Sequence, residues 1–497
     1  MSLLAACGEK QEFASIGIED FEEFRNTDYM ISESRVRQEL ARMLQADTDR
    51  DAVSKRVRSY YLDNNSFLWI TRNGISSKAD SVLHYVQTVS EFGFNTNKFL
   101  YEEMLTDLKR VRSLSFGEDE LGASRTFARL EYRLTRAYLR YCVGQRFGYV
   151  SPSDIFNRLD VRDSDSLSVR YHHLFDIPLK KPTNVFYAKA FSQIRQDSVG
   201  PFMRTSSPDN PVYKALLKGF QTAATQDERK RYLCNMERAR WQLTDAPWMH
   251  QKYVMINLPS LHLDAFDGDS TLSMRIGIGA LETKTPLLTS HIKRIDFNPQ
   301  WVIPKSIVKK SIAPYAGSAD YFNRHNYFVM NRKTGKQVPV ESVTAAMLTG
   351  SDYSVVQRGG KGNPLGSVIF RFDNNFSVFI HYTSNPDVFN RDDRSVSHGC
   401  IRVEKPFDLA LFLLNDKSEE LVKKIDYTMS LHSRPEDAEQ GEKTDKSLLL
   451  SSLKVNPAVP LFITYFTLYP DRNGVVHTYR DIYGFDEPIY RQLQTYL

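Results

Sequence analysis

The apolar residues of this 497-residue chain change their spacing about half-way along. Up to roughly residue 248 they recur three and four apart. From Tyr253 onward they alternate. A 3.6-residue period in one half and a two-residue period in the other predict helix packed on helix, followed by a sheet. The helical faces are Val36, Leu40, Met43 and Leu44; then Val82, Leu83, Val86 and Val89; then Leu130, Leu134, Ala137, Tyr138 and Tyr141. Gly74 and the segment 93–97 read as breaks between helices. Tyr60, Tyr61, Phe67, Leu68 and Trp69 read as a core aromatic cluster. Residues 34–190 are expected to be all helical. Residues 191–248 continue in the same way, with Pro201, Pro208 and Pro211 marking loops and Arg231–Leu243 forming one amphipathic helix.

The second half predicts strands at Tyr253–Leu258 and Leu272–Ile278, joined as a hairpin with its turn at Asp267–Asp269. Residues 296–364 read as an insertion rich in Tyr, Phe, Asn and Gly. Its last segment, Gly359–Pro364, reads as a flexible loop. A strand rather than a helix follows those glycines, which excludes a phosphate-binding loop. Val368–Phe372 and Phe376–His381 predict a hairpin across Asp373–Asn375. A helix is expected from Pro406 to Leu414, a charged mobile loop at Arg434–Lys446, and a last hairpin of Leu461–Leu468 with Val475–Tyr479.

Charge narrows the function. Sixty-five Lys and Arg face 60 Asp and Glu, interleaved, for a net charge of +5. No concentrated basic face is evident, so nucleic acid is not an expected partner. No apolar run reaches the ~18 residues of a membrane span. The four cysteines, Cys7, Cys142, Cys234 and Cys400, form no CxxC pair, which argues against a zinc knuckle or redox motif. Cys142 and Cys234 sit in apolar helical contexts, as core residues or as a disulfide. Leu4-Ala5-Ala6-Cys7 matches a bacterial lipobox, yet six residues are too few for a signal peptide. Either the natural chain starts further upstream or the match is accidental. Lipidation of Cys7 is the expectation taken forward.

Chemistry concentrates between His381 and Cys400. His381-Tyr382 is followed, after fourteen residues, by Ser397-His398-Gly399-Cys400. The histidine ends a predicted strand, and the cysteine lies in the loop feeding the Pro406 helix. A thiol is a weak nucleophile until a base takes its proton, and a Cys/His pair on rigid elements is the minimum for covalent acyl transfer. Gly399 permits a strained backbone that exposes amide groups. Zinc held by His381, His398 and Cys400 is disfavoured, because no fourth ligand or catalytic Glu lies nearby. No cofactor is expected.

The stretch Ser397-His398-Gly399-Cys400-Ile401-Arg402, with His381 ahead of it, resembles the catalytic motif of the bacterial L,D-transpeptidases. Asn298-Pro299 with Trp301 and Pro304, Asn363–Gly366, and Asp481–Gly484 resemble the larger, multidomain members. Residues 34–190 resemble their helical scaffold. The resemblance implies an α+β multidomain chain: a tether at 1–33, a helical scaffold domain at 34–248, and a mostly β catalytic domain at 249–497 with a capping insertion at about 296–364. Residues 191–230 are too short for the three-helix wall-binding module that large members often carry, and a lipid tether could do that job instead.

The resemblance also implies roles. Cys400 is the nucleophile, as a thiolate whose proton is held by His381, and His381 is oriented by a backbone carbonyl, with Tyr382 serving through its own. His398 assists or holds the loop. The amides of His398, Gly399 and Cys400 form an oxyanion hole. Arg402 binds a substrate carboxylate or braces the loop by a salt bridge, and Ser397 braces the loop. The implied partners are peptidoglycan tetrapeptide stems in the periplasm, joined into 3–3 cross-links, and carbapenem-type inhibitors that would acylate Cys400. The alternatives are a hydrolase using the same thioester and a non-catalytic wall-binding protein.

Overall fold

The computed structural model describes residues 32–63, 65–71, 74–117, 122–164, 169–431 and 445–497. Cys7, the expected tether and most of the Arg434–Lys446 segment lie outside these residues. Among the described residues, no helix is long and apolar enough to cross a membrane.

The helical half begins with α1 (Glu33–Ala46) and α2 (Ala52–Leu62), capped by the side chains of Ser32 and Asp51. A two-residue hairpin, β1 (Ile70–Thr71) and β2 (Gly74–Ile75), follows. Gly74 has φ +93° there, so it opens a strand rather than separating two helices. Then come α3 (Lys78–Gln87), α4 (Tyr101–Arg112) and the 26-residue α5 (Gly122–Phe147). The first four helices pack around α5, whose Leu130, Leu134, Ala137, Tyr138 and Tyr141 are buried. Glu131 of α5 is buried too. It accepts from the amides of Leu68 (2.5 Å), Trp69 (3.0 Å) and Ile70 (3.3 Å) and from the Tyr61 hydroxyl (2.8 Å). This carboxyl holds the 67–70 turn, which is why the aromatic cluster there is core. Burial pushes its pKa up to about 7.

Next are α6 (Pro152–Phe156), the hairpin β3 (Val161–Ser164) and β4 (Val169–Tyr171), and β5 (Phe175–Asp176). These short strands depart from an all-helical expectation. The half closes with α7 (Asn184–Arg195), α8 (Val199–Ser206), α9 (Pro211–Thr222) and α10 (Gln226–Arg240). Pro201 lies inside the first turn of α8, where a missing N–H costs nothing. Cys142 and Cys234 are buried free thiols.

The β half starts as a meander of β6 (Lys252–Asn257), β7 (His262–Asp267) and β8 (Ser270–Gly279). The turn at Asp267–Asp269 therefore joins β8 to β7, a strand the alternation did not single out. β9 (Leu287–Phe297) pairs in parallel with β5, so the helical half lends a strand to this sheet. An insertion then leaves the sheet. It holds β10 (Trp301–Val302), α11 (Lys305–Ile307), α12 (Ala319–Arg324), β11 (Tyr327–Asn331), β12 (Gln337–Val338), α13 (Ala345–Thr349) and β13 (Tyr353–Gln357). Its four strands form a separate sheet over their own core of Ile303, Val308, Phe322, Val329 and Val355. Its tyrosines stack on one another, Tyr315 on Tyr321 with centroids 4.0 Å apart.

The chain returns in β14 (Val368–Phe372), β15 (Ile380–His381), β16 (Ser395–Ser397) and β17 (Ile401–Val403). Then come α14 (Pro406–Leu413), α15 (Glu419–Ser430), the long β18 (Ser452–Thr464), the hairpin β19 (Leu468–Pro470) and β20 (Val476–Thr478), and α16 (Asp486–Leu493). Residues 461–464 thus belong to β18 in the main sheet, and only 468–470 pair with 476–478. Strands β14-β15-β17-β8-β7-β6-β18-β9 are neighbours in that order, and β9 pairs back onto β14. The eight close into a barrel filled by Val254, Ile256, Leu263, Ala265, Ile276, Ile278, Ile401 and Leu461.

The two halves share one continuous hydrophobic core. An ion pair crosses the seam. Arg238 of α10 donates to Asp486 at the start of α16 (2.5 Å), and the Thr467 hydroxyl donates to the other Asp486 oxygen (2.7 Å). Both side chains are buried, 2% and 10% exposed. Removing one partner leaves a charge in a dry seam. Asp486→Ala is therefore expected to destabilise the protein by about 3–5 kcal/mol, read as a fall in the denaturation midpoint.

Candidate active site

Ile380 and Ile401 pair across the parallel β15–β17 ladder, and both side chains are buried in the barrel. Their neighbours Phe379, His381, Cys400 and Arg402 must therefore project from the outer face. In this register His381 stands opposite Arg402, and Cys400 is its diagonal neighbour on the same face. The sequence reading put Cys400 in the loop feeding a helix. It instead precedes a strand, and the Ile401 amide donates to the Phe379 carbonyl (2.9 Å). The preceding strand is shorter than expected, because Asn374 takes Phe376 and Val378 out of the ladder by side-chain bonds to their backbones.

His381 is 4% exposed. The return limb of the insertion covers it. Asn363, fully buried, donates to the carbonyls of Pro299 and Arg358 (both 3.0 Å) and accepts from the Leu365 amide (2.9 Å). Gly366 has φ +70°, and a Cβ there would lie 2.6 Å from the Thr383 nitrogen. The loop 359–364 is thus a pinned neck, not a slack segment. Tyr382 is half-buried, and its amide donates to the Val368 carbonyl (3.1 Å).

Electrostatics favour the neutral forms of the pair. Burial, and then the charge of Arg402, push the His381 pKa down to about 4, against the backbone of Tyr382 and Leu365. Its Nδ1 is buried without a hydrogen bond. Burial also pushes the Cys400 thiol up, against the Phe379 amide, Arg402 and Arg371. Both effects favour the uncharged forms. They run against the thiolate expected from sequence.

Arg402 makes no ion pair among the described residues, and its Nε is buried without a hydrogen bond. The salt-bridge role considered for it is thus not what the structure contains. Arg371 differs, with its Nε on Asp296 (2.8 Å). His398 is exposed.

The loop before the thiol is braced from inside. The Ser397 hydroxyl donates to the Cys400 carbonyl (2.5 Å) and accepts from the Gly399 amide (3.1 Å). That amide is spent, which removes it from the expected oxyanion donors. The amides of His398 and Cys400 make no hydrogen bond among the described residues. Gly399 has φ +107°, closed to most side chains. Its carbonyl accepts from the Thr285 hydroxyl (3.0 Å), which in turn accepts from the Gly279 amide (2.9 Å). The Thr285 amide donates to the Tyr483 oxygen (3.1 Å), and the Tyr483 hydroxyl donates to the Gly279 carbonyl (2.7 Å). The Tyr483 amide donates to Tyr465, whose hydroxyl donates to Asp481 (2.5 Å). Sequence reasoning noted Asp481–Gly484 and Asn363–Gly366 only as resemblances without roles. It missed Thr285, which no local pattern marks.

Residues 251–425 match the family model of the L,D-transpeptidase catalytic domain, and residues 55–219 match that of the Scaffold domain. A Haemophilus influenzae protein named "Putative L,D-transpeptidase" is 24% identical over 317 residues, 62% of this chain. The match spans about 60% of that relative's length. The chain thus carries a helical Scaffold domain ahead of a mostly β L,D-transpeptidase catalytic domain.

Proposed function

We propose that the protein is a periplasmic peptidoglycan L,D-transpeptidase that forms 3–3 cross-links through a cysteine thioester. The observation that supports this reading is the β15–β17 register, in which strand alternation puts Cys400 and His381 on the same outer face. The donor is a tetrapeptide stem. Cys400 Sγ attacks the carbonyl carbon of the third residue as its proton passes to neutral His381. His381 then gives that proton to the departing amine of the terminal D-alanine, and a thioester remains. The side-chain amine of a neighbouring stem attacks the thioester and loses a proton to His381. The new amide forms, and the protonated imidazole returns its proton to the sulfur.

A neutral resting pair suits this sequence. The imidazole is free to accept a proton, and Arg402 disfavours its charged form until negative charge develops beside it. Arg402, with no carboxylate partner among the described residues, takes the donor's terminal carboxylate. The Cys400 and His398 amides take the oxyanion. In a trans peptide the C=O and N–H point opposite ways. Thr285, by holding the Gly399 carbonyl inward, therefore turns the Cys400 N–H outward to the reacting carbonyl. The capping insertion limits water at the thioester, which favours transfer over hydrolysis. Carbapenem-type acylation of Cys400 and lipidation of Cys7 belong to the same reading.

The deciding experiment incubates purified disaccharide-tetrapeptide with wild type and Cys400→Ala and weighs the products. Dimers that have lost D-alanine, formed by wild type alone, are expected. Monomers alone would mean hydrolysis, and no product would remove the catalytic reading. In the same assay Thr285→Val is expected to lower kcat on the order of ten-fold with KM within about two-fold, while Thr285→Ser keeps most activity. Equal losses in both variants would make Thr285 merely structural.

A further inference from the structure

One hollow among the described residues lies away from the thiol. It is a groove of about 590 Å³ where α9, the 247–248 segment, strands β6 and β7 and the β19–β20 hairpin meet. Its walls carry the rings of Trp248, Tyr253, Phe266, Tyr469 and Tyr479. Trp248 is 52% exposed, unusual for the largest apolar side chain, and it also borders a second hollow of about 340 Å³ beside α8 and α10. The groove therefore continues past Trp248 along the seam.

We infer that this groove is a second binding site, for a saccharide chain bearing acetamido groups. The inference rests on the cell-wall reading for the choice of polymer; the site stands without it.

The lining selects this chemistry. Sugar rings present C–H faces that pack on aromatic rings, and hydroxyls that need both donors and acceptors. Asp264 sits on the floor, facing Tyr253, Tyr469 and Tyr479, and makes no hydrogen bond or ion pair among the described residues. An apolar ligand would leave that carboxylate unpaired, at a desolvation cost. An anionic chain would meet Asp264 and Asp471. A cation gains little, because Arg472 acts on Tyr253 with the opposite sign to Asp264. Arg472 is fixed there, 4.6 Å over the Phe266 ring and bonded to the carbonyls of Gly268 and Asp269. A neutral ligand with hydroxyls and amides satisfies all of these groups.

The ladder also places the groove relative to the thiol. Met255 lies opposite Asp264, Asp264 opposite Ser273, and Arg402 opposite Gly277. All of these positions face outward from the barrel, as does Cys400. The groove and the thiol thus lie on one face of one sheet, two strands apart and offset along them by roughly 20 Å. A polymer carrying peptide branches spans that distance; a single stem does not. The groove would hold the glycan while a stem reaches Cys400, the task that a separate wall-binding module performs elsewhere.

The test titrates the Cys400→Ala full chain with tetra-N-acetylchitotetraose, by tryptophan fluorescence and calorimetry. Trp69 and Trp241 are buried and Trp301 is half-buried in the insertion, so the quenching that Trp248→Ala removes is the part that reports Trp248. Binding is expected, weakened about ten-fold or more by Trp248→Ala and by Asp264→Ala, with unchanged circular dichroism. Binding of a sugar-free tetrapeptide should not change in either variant. No oligosaccharide binding, binding undiminished in both variants, or loss of peptide binding in parallel would each overturn the proposal. Failure of the transpeptidase reading would show separately, as absence of dimer products from wild type.

Discussion

The site depends on one short parallel pairing, Ile380 beside Ile401. Two isoleucines sink into the barrel, and by strand alternation that single choice lifts His381, Cys400 and Arg402 to the outer face together. A slip of one residue in either strand would bury the thiol or the imidazole among the barrel side chains. Only two residue pairs form this ladder, so its precision comes from its flanks. Gly366 presses on the backbone beyond His381, and Thr285 with Ser397 holds the backbone before Cys400.

Burial of the imidazole explains the electrostatics as well as the geometry. The insertion's neck dries His381, and drying costs a charged ring more than a neutral one. Arg402 adds to that cost. Among the described residues the same guanidinium has no carboxylate of its own, which is expensive to maintain unless a substrate supplies one. The helical half contributes through the seam. Arg238 and Asp486 tie α10 to α16, and the polar relay from Asp481 through Tyr465 and Tyr483 to Thr285 begins a few residues away from that tie. The scaffold is therefore continuous with the support of the catalytic loop.

Much of this was legible in sequence, for physical reasons. The change from a 3.6-residue to a two-residue period marks the helical and β halves, because each period reports which face is buried. His381 and Cys400 stand out because few other reasons bring those residue types and a glycine together. Long-range closure was not legible. Nothing local in Phe175–Asp176 announces a strand bound for another domain's sheet, or in β7 a strand preceding its turn. Thr285 lies over a hundred residues from Gly399 and looks like any threonine. The electrostatics of the pair could not be read either, because they follow the burial of both side chains and a register that puts Arg402 opposite His381.

A resting pair of thiol and neutral imidazole would show in the pH dependence of Cys400 alkylation. Iodoacetamide labelling of the Cys400 peptide, followed by mass spectrometry from about pH 4 to 10, separates this thiol from the other three. Slow labelling near neutrality that rises steadily above pH 8, without an acidic plateau, is expected of a neutral pair. A rate that is already high and level between about pH 5 and 8 would reveal a thiolate–imidazolium pair and contradict it.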